Sequence, residues 1–180
     1  MTALERCLAA LVARLEEMRF PYMVIGGLAN AVWGVPRATL DMNVTVWAEE
    51  ERWPQLLAGL EGQFIPLVAD ALAFARETRV LPLEFGEGVR VDLILALLPF
   101  EREAIHRAVA VSMAGTVVRV ATAEDLILMK VISRRPRDEE DVRGILKQRQ
   151  GELDFGYLQP RLEELARLLE QSEFLTRWQY

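Results

Sequence analysis

From Thr39 to Trp47 apolar and polar residues alternate without a break, Leu40, Met42, Val44 and Val46 against Thr39, Asp41, Asn43 and Thr45. Such a repeat fits a β-strand with one face in a core, because successive strand side chains point to opposite faces whereas a helix would spread both sets around its axis. The chain must therefore build a sheet that buries the apolar set. Asp41 and Asn43 then emerge together on the polar face, which makes that surface a candidate site.

Other segments supply the rest of a sheet. Tyr22–Ile25 reads as a short buried strand, Val80–Phe85 and Val89–Leu95 as a hairpin across Gly86-Glu87-Gly88, and Ala108–Met113 with Thr116–Val120 as a second hairpin across Ala114-Gly115. Phe64–Val68 is an extended piece. Leu4, Cys7, Leu8, Leu11, Leu15 and Met18 recur at helical spacing and predict a helix over 3–19. Further helices are predicted at Leu28–Trp33, after Gly26-Gly27 and before Gly34 and Pro36, and at Glu49–Leu60, Asp70–Glu77 and Pro99–Arg107.

Beyond Ala121 the pattern is helical only. Thr122-Ala-Glu-Asp125 resembles a capping box opening a helix to Ser133, Asp138 opens another to Gln148, and Pro160 suits the first turn of a last helix. In that helix Leu158, Leu162, Leu165, Leu168 and Leu169 make one apolar face, expected to pack on the body, with a partner surface as the other reading. The predicted fold is α+β: a mixed β-sheet flanked by helices over 1–121, and a helical C-terminal part over 122–180 packed on it.

Composition narrows the function classes. No apolar run reaches the ~18 residues of a membrane helix, and Glu5, Arg6 and Arg14 stand where a signal peptide would be greasy, so a soluble, cytoplasmic protein with no membrane partner is expected. The formal charge of −6 argues against general DNA or RNA coating, which clustered Lys and Arg drive. Arg134, Arg135 and Arg137 form a dense basic cluster, read either as a solvated loop or as a phosphate or RNA contact. Cys7 and His106 are each the sole residue of their type, which excludes an intramolecular disulfide, thiolate zinc sites and histidine-rich metal sites. His106 is expected on a helix surface, and Trp33, Trp47 and Trp53 in or near the core.

Asp92 is the conspicuous polar residue of an apolar strand, Val-Arg-Val-Asp-Leu-Ile-Leu-Ala-Leu. Buried without a partner, its carboxylate would cost several kcal/mol. If its strand lies beside that of Asp41, both carboxylates and the Asn43 amide oxygen converge, a donor set suited to a hard cation such as Mg²⁺. An ion pair of Asp92 with Arg90 or Arg37 answers the same need. Gly26-Gly27 ahead of a helix admits either a plain tight turn or the approach of a phosphate to backbone N–H groups. Asp138 and Asp141, at i and i+3, share a helix face and read either as helix-start stabilisation or as support for a site.

The stretch Tyr22-Met-Val-Ile-Gly-Gly-Leu-Ala-Asn-Ala-Val-Trp-Gly-Val-Pro-Arg-Ala-Thr-Leu-Asp-Met-Asn-Val44 resembles the opening motif of the nucleotidyltransferase superfamily, specifically the stand-alone branch related to AbiEii-type toxins. There a glycine turn and helix lead through Arg-x-Thr to a strand bearing Asp-x-Asp, and a later strand adds a carboxylate, here Asp92. Ala123-Glu-Asp-Leu-Ile-Leu-Met-Lys130 and Arg135-Pro-Arg-Asp138-Glu-Glu-Asp141 are similar to the branch's downstream signatures. The resemblance spans Tyr22 to Leu146. It implies a nucleotidyltransferase-like sheet and Mg²⁺- or Mn²⁺-dependent transfer of a nucleoside monophosphate from an NTP to an acceptor.

In that reading Asp41, Asn43 and Asp92 hold metal, with Asp92 also helping to deprotonate the acceptor, and Lys130 contacts phosphate as a point charge. Gly26 and Gly27 line the triphosphate, and Arg37 and Thr39 order the site's edge. The acceptor is RNA such as tRNA, a protein or a small molecule, antibiotic adenylylation included, and a toxin role would bring a cognate antitoxin. One departure stands out: Asn43 occupies the family's second aspartate position, removing a negative charge and weakening Mg²⁺ affinity. The alternative is therefore a catalytically degraded nucleotide-binding or interaction module on the same fold.

Overall fold

The computed structural model describes residues 1–86, 88–133 and 135–168. The chain divides into two compact units, Met1–Ala29 with Arg37–Ala121, and Asn30–Pro36 with Thr122–Tyr180.

The first unit opens with α1 (Ala3–Glu17), started by a reciprocal cap in which Thr2 Oγ1 accepts the Glu5 N–H and Glu5 Oε2 accepts the Thr2 N–H. Its apolar stripe, Cys7, Leu8, Leu11, Val12 and Leu15, is buried. There follow β1 (Tyr22–Ile25), α2 (Gly26–Trp33), whose residues from Asn30 on count with the second unit, β2 (Asp41–Trp47), a 3₁₀ turn at Glu50–Arg52, α3 (Trp53–Leu60), β3 (Phe64–Pro66) and α4 (Ala71–Thr78). Then come β4 (Val80–Phe85), β5 (Val89–Ala96), α5 (Pro99–Arg107), β6 (Val109–Met113) and β7 (Thr116–Val120). The strands form a mixed sheet of seven in the order β3-β4-β5-β2-β1-β7-β6. In it β2–β5 and β1–β7 are the parallel pairs.

The core follows from that register. Met42, Val44 and Val46 of β2 stand opposite Val91, Leu93 and Leu95 of β5, all fully buried, and α1 lies against both strands. Two expectations for β2 fail at its ends. Leu40 is 87% exposed because sheet pairing begins only at Asp41, so no neighbouring strand carries it into the core. Thr45 is buried although it belongs to the polar face. The cause is α5, which packs on β1 and β2 with the Arg102 guanidinium over the Trp47 ring. The accessible polar side chains of that face are at its Asp41–Asn43 end. His106 is exposed on α5, Trp53 is buried, and Trp33 and Trp47 are half-buried.

The second unit holds α6 (Ala123–Ser133), α7 (Pro136–Gln148) and α8 (Phe155–Leu168). The Thr122–Asp125 box forms: Thr122 Oγ1 accepts the Asp125 N–H at 3.2 Å and donates to the Asp125 carboxylate at 2.8 Å. The other oxygen of fully buried Asp125 accepts the Tyr157 hydroxyl at 2.6 Å, fastening α8 to α6. Arg149 donates to the carbonyls of Val32 and Trp33, the last residues of α2, at 2.9 and 3.3 Å and lies over the Trp33 ring. Helix α8 starts earlier than Pro160 suggests, because Asp154 caps it through the Tyr157 N–H. Pro160 therefore sits inside the helix, where it removes one backbone donor. Leu158 is buried and Leu162 and Leu165 half-buried; Leu169, the side chain of Leu168 and Arg134 lie outside the described residues. Among the described residues no helix is long and apolar enough to cross a membrane.

Candidate functional site

β1 and β2 run antiparallel with Ile25 opposite Asn43, so the end of β1 meets the start of β2. The chain leaves β1 directly into α2, with no separate turn. Gly26 makes that junction at φ +66°, a conformation glycine adopts without the steric cost of a side chain. A Cβ on Gly26 would lie 3.1–3.3 Å from the Asn43 side chain, and one on Gly27 would lie 2.6 Å from Thr39 Oγ1 and 2.9 Å from Thr39 Cβ. The two glycines thus seat the first turn of α2 against Thr39 and Asn43. Thr39 in turn donates to Asp41, with its Oγ1 3.1 Å from both Asp41 O and Asp41 Oδ1.

Parallel pairing of β2 with β5 sets Asn43 opposite Asp92 and Asp41 opposite Arg90. All four side chains share the accessible face, since each pair is two residues from the next along its strand. Adjacent strands lie ~4.8 Å apart, which puts the Asn43 amide beside the Asp92 carboxylate. Asp92 meets its need for a partner through Arg90, Nε to Oδ1 at 3.2 Å. The Asp92 side chain keeps 20% of its surface exposed and that of Arg90 60%. The Arg90 ion pair weighed for Asp92 is therefore present, on the same face as Asp41 and Asn43. The signal for it was the i, i+2 spacing of Arg90 and Asp92. Arg37 and Thr39 are half-buried in the same unit.

The oxygens on this face are those of the Asp41 and Asp92 carboxylates and the Asn43 amide, with the Glu84 carboxylate of β4 one strand further out, opposite Arg90. Among the described residues no group of three or more His, Cys, Asp or Glu is placed to hold a metal ion. An all-protein cage is thus not built here. Mg²⁺, however, is commonly held by one or two carboxylates with substrate phosphates and water completing the shell, and Asp41, Asp92 and the Asn43 oxygen fit that mode.

The downstream residues assemble in the helical unit. Lys130 is 5% exposed, and its ammonium donates to Asp138 at 2.9 Å and to Asp141 at 2.6 Å. Ser133 Oγ donates to the other Asp138 oxygen. The reading of Asp138 as a helix-opening cap is corrected: α7 begins at Pro136 with Arg135 as its cap, so Asp138 lies within the first turn and faces Lys130. A phosphate contact by Lys130 requires one of these carboxylates to give way. Arg135 and Arg137 are exposed. A cleft of about 580 Å³ in this unit is lined by Arg143, Leu146, Lys147, Gln150, Gly151, Leu153 and Phe155.

The mixed sheet and the helices around it are those of a nucleotidyltransferase-like fold. ANT(2″)-Ia, solved in complex with adenylyl-2″-tobramycin, is similar at a TM-score of 0.61 and 20% identity over 99% of this chain and 100% of its own. An antigenic nucleotidyltransferase-like protein from Paracoccidioides brasiliensis aligns with a TM-score of 0.57 at 18% identity, covering 95% of this chain and 89% of its own. The lincosamide antibiotic adenylyltransferase LnuA, solved with lincomycin bound, aligns with a TM-score of 0.55 at 12% identity, covering 81% and 96%. The chain belongs to the family described as nucleotidyltransferase of unknown function (DUF6036), whose model it matches over residues 2–179. No curated protein matches it by sequence.

Proposed function

We propose that this protein transfers a nucleoside monophosphate from a nucleoside triphosphate to an acceptor hydroxyl at the accessible end of the β1–β2–β5 face. The observation that carries this reading is the Asn43–Asp92 register, which aligns the Asp41-x-Asn43 strand with a second carboxylate-bearing strand where the Gly26-Gly27 helix start packs. Asp41 and Asp92, with the Asn43 amide oxygen, would hold Mg²⁺ or Mn²⁺, which when bound offsets triphosphate charge and polarises the reacting phosphoryl group. Backbone N–H groups at the start of α2 receive phosphate oxygens, Thr39 fixes the Asp41 carboxylate, and Arg37 orders the edge of the site. The acceptor oxygen bonds to the α-phosphorus as the bond to the α,β-bridging oxygen breaks, and pyrophosphate leaves with the electron pair. The hydroxyl proton passes to Asp92 through the oxygen outside the Arg90 pair. Lys130, with Asp138 and Asp141, supports the helical unit and reaches phosphate only by releasing one carboxylate.

Thermal shift with each NTP, with and without Mg²⁺, tests this reading. Ligand at ~100 times its dissociation constant stabilises the native state by about 2.7 kcal/mol, and Asp41→Asn should abolish the Mg²⁺-dependent part. Asn43→Asp should strengthen Mg²⁺ binding; an unchanged titration would refute the shared site. Pyrophosphate release with total tRNA, an aminoglycoside or a lincosamide as acceptor then separates an AbiEii-type toxin, for which an antitoxin would be sought, from a resistance enzyme. A second reading draws support from Asn43 and from the Arg90–Asp92 pair, which both lower the site's negative charge. It is a module that binds nucleotide without transfer, and it predicts a thermal shift with no pyrophosphate from any acceptor.

A further inference from the structure

We infer that Arg90 is a nucleotide-binding residue: its guanidinium supplies, from the protein itself, positive charge for the polyphosphate beside Asp41 and Asp92, the two carboxylates proposed to hold metal. The inference rests on the nucleotidyl-transfer reading and extends it. A triphosphate brings several negative charges, and a site with Asp41, Asp92 and a neutral Asn43 concentrates cations less well than one with a third acid. Arg90 is placed to make up the difference. It is held in β5 between two paired strands, opposite Asp41 on β2 and Glu84 on β4, so its backbone position is fixed by the sheet. Its Nε goes to Asp92 Oδ1 at 3.2 Å.

That contact orients the guanidinium along the carboxylate row while using one of its five donors. The side chain is 60% exposed. The terminal nitrogens, which make no hydrogen bond to another described residue, are thus left at the accessible end of the face in the fork geometry that suits bidentate phosphate contact. The pair answers the partial burial of Asp92 while leaving the guanidinium itself at the surface.

The same charge opposes a metal ion bound beside it. A divalent and a monovalent cation ~6 Å apart in a water-like dielectric repel enough to weaken binding about tenfold. Arg90→Gln keeps a polar side chain whose amide N–H can still donate to the Asp92 carboxylate, so the chain should fold, and the urea midpoint of the variant checks this. The substitution should raise affinity for Mn²⁺, followed by electron paramagnetic resonance without nucleotide, by about tenfold. Inorganic tripolyphosphate, which carries no base, should bind the unaltered protein in EDTA and bind Arg90→Gln about tenfold more weakly by calorimetry, the size of one lost bidentate contact.

Tripolyphosphate binding that is absent in EDTA, or unchanged by Arg90→Gln, overturns the inference. Asp41→Asn and Asn43→Asp separate that failure from a failure of the underlying site. If these two alter Mn²⁺ affinity while Arg90→Gln leaves tripolyphosphate binding unchanged, Arg90 alone has been misassigned. If none of the three variants alters Mn²⁺ affinity, the transfer site falls with it.

Discussion

Gly27→Ala puts a methyl group where the Thr39 side chain already is. The added carbon would lie 2.6 Å from Oγ1 and 2.9 Å from Cβ of Thr39, distances at which something must move. In an ordinary helix the substitution stabilises by roughly 0.5–1 kcal/mol, since alanine is the better helix former. Here overpacking costs about 1–3 kcal/mol, so a net loss of about 1–2 kcal/mol is expected by urea denaturation. Moving Thr39 also loosens its hydrogen bonds to Asp41, so the Mg²⁺-dependent thermal shift with NTP should shrink as well. A double-mutant cycle with Thr39→Ala isolates the cause. That change removes the atom in closest conflict, so Gly27→Ala should cost less in its background by ~1 kcal/mol. Additivity to within about 0.5 kcal/mol would refute the argument, because residues in direct conflict must couple.

Lys130→Met leaves Asp138 and Asp141 together without their cation and should cost about 3–5 kcal/mol by denaturant titration; neutralising both acids to Asn in the same chain should recover much of it. Tyr157→Phe deprives the buried Asp125 carboxylate of a donor and should cost about 1.5–3 kcal/mol in the same assay. Burial pushes the Cys7 thiol from 9.0 up to about 12, and burial first among several causes pushes the Tyr22 hydroxyl from 10.0 up to about 12. Both groups keep their protons in the folded state at pH values where the unfolded chain has lost them. Stability is therefore fully retained below pH 9 and declines as pH rises towards about 12, and Cys7→Ala should make the decline of the urea midpoint less steep.

How far the sequence could be read depended on how local the deciding interaction is. The strand of Asp41 and the hairpins show in a period of two, and the Thr122–Asp125 cap shows in residues three apart. Leu40 lies outside the core because alternation runs past the point where a neighbouring strand exists to pair with. Thr45 is buried because α5, which begins only at Pro99, comes back over its face from far along the chain, which no period reveals. Pro160 suggested a helix start, while the cap at Asp154 lay upstream of it. At the candidate site Asp41, Asn43 and Asp92 could be picked out by residue type, but their juxtaposition was conditional on β2 pairing with β5, a long-range choice. The Lys130 partners show the same limit, because a cap and an ion pair call for the same acids at the same spacing.

The two ends of the sheet differ in what they offer to another chain. At one end β3 is three residues long and contains Pro66, which cannot donate to a further strand. At the other end β6, Val-Ala-Val-Ser-Met, has neither proline nor charge, and Ala110 and Ser112 are exposed along it. Self-association on heating or concentration should therefore begin at β6, strand adding to strand, and a lysine introduced at Ser112 is the change that should keep the protein dispersed.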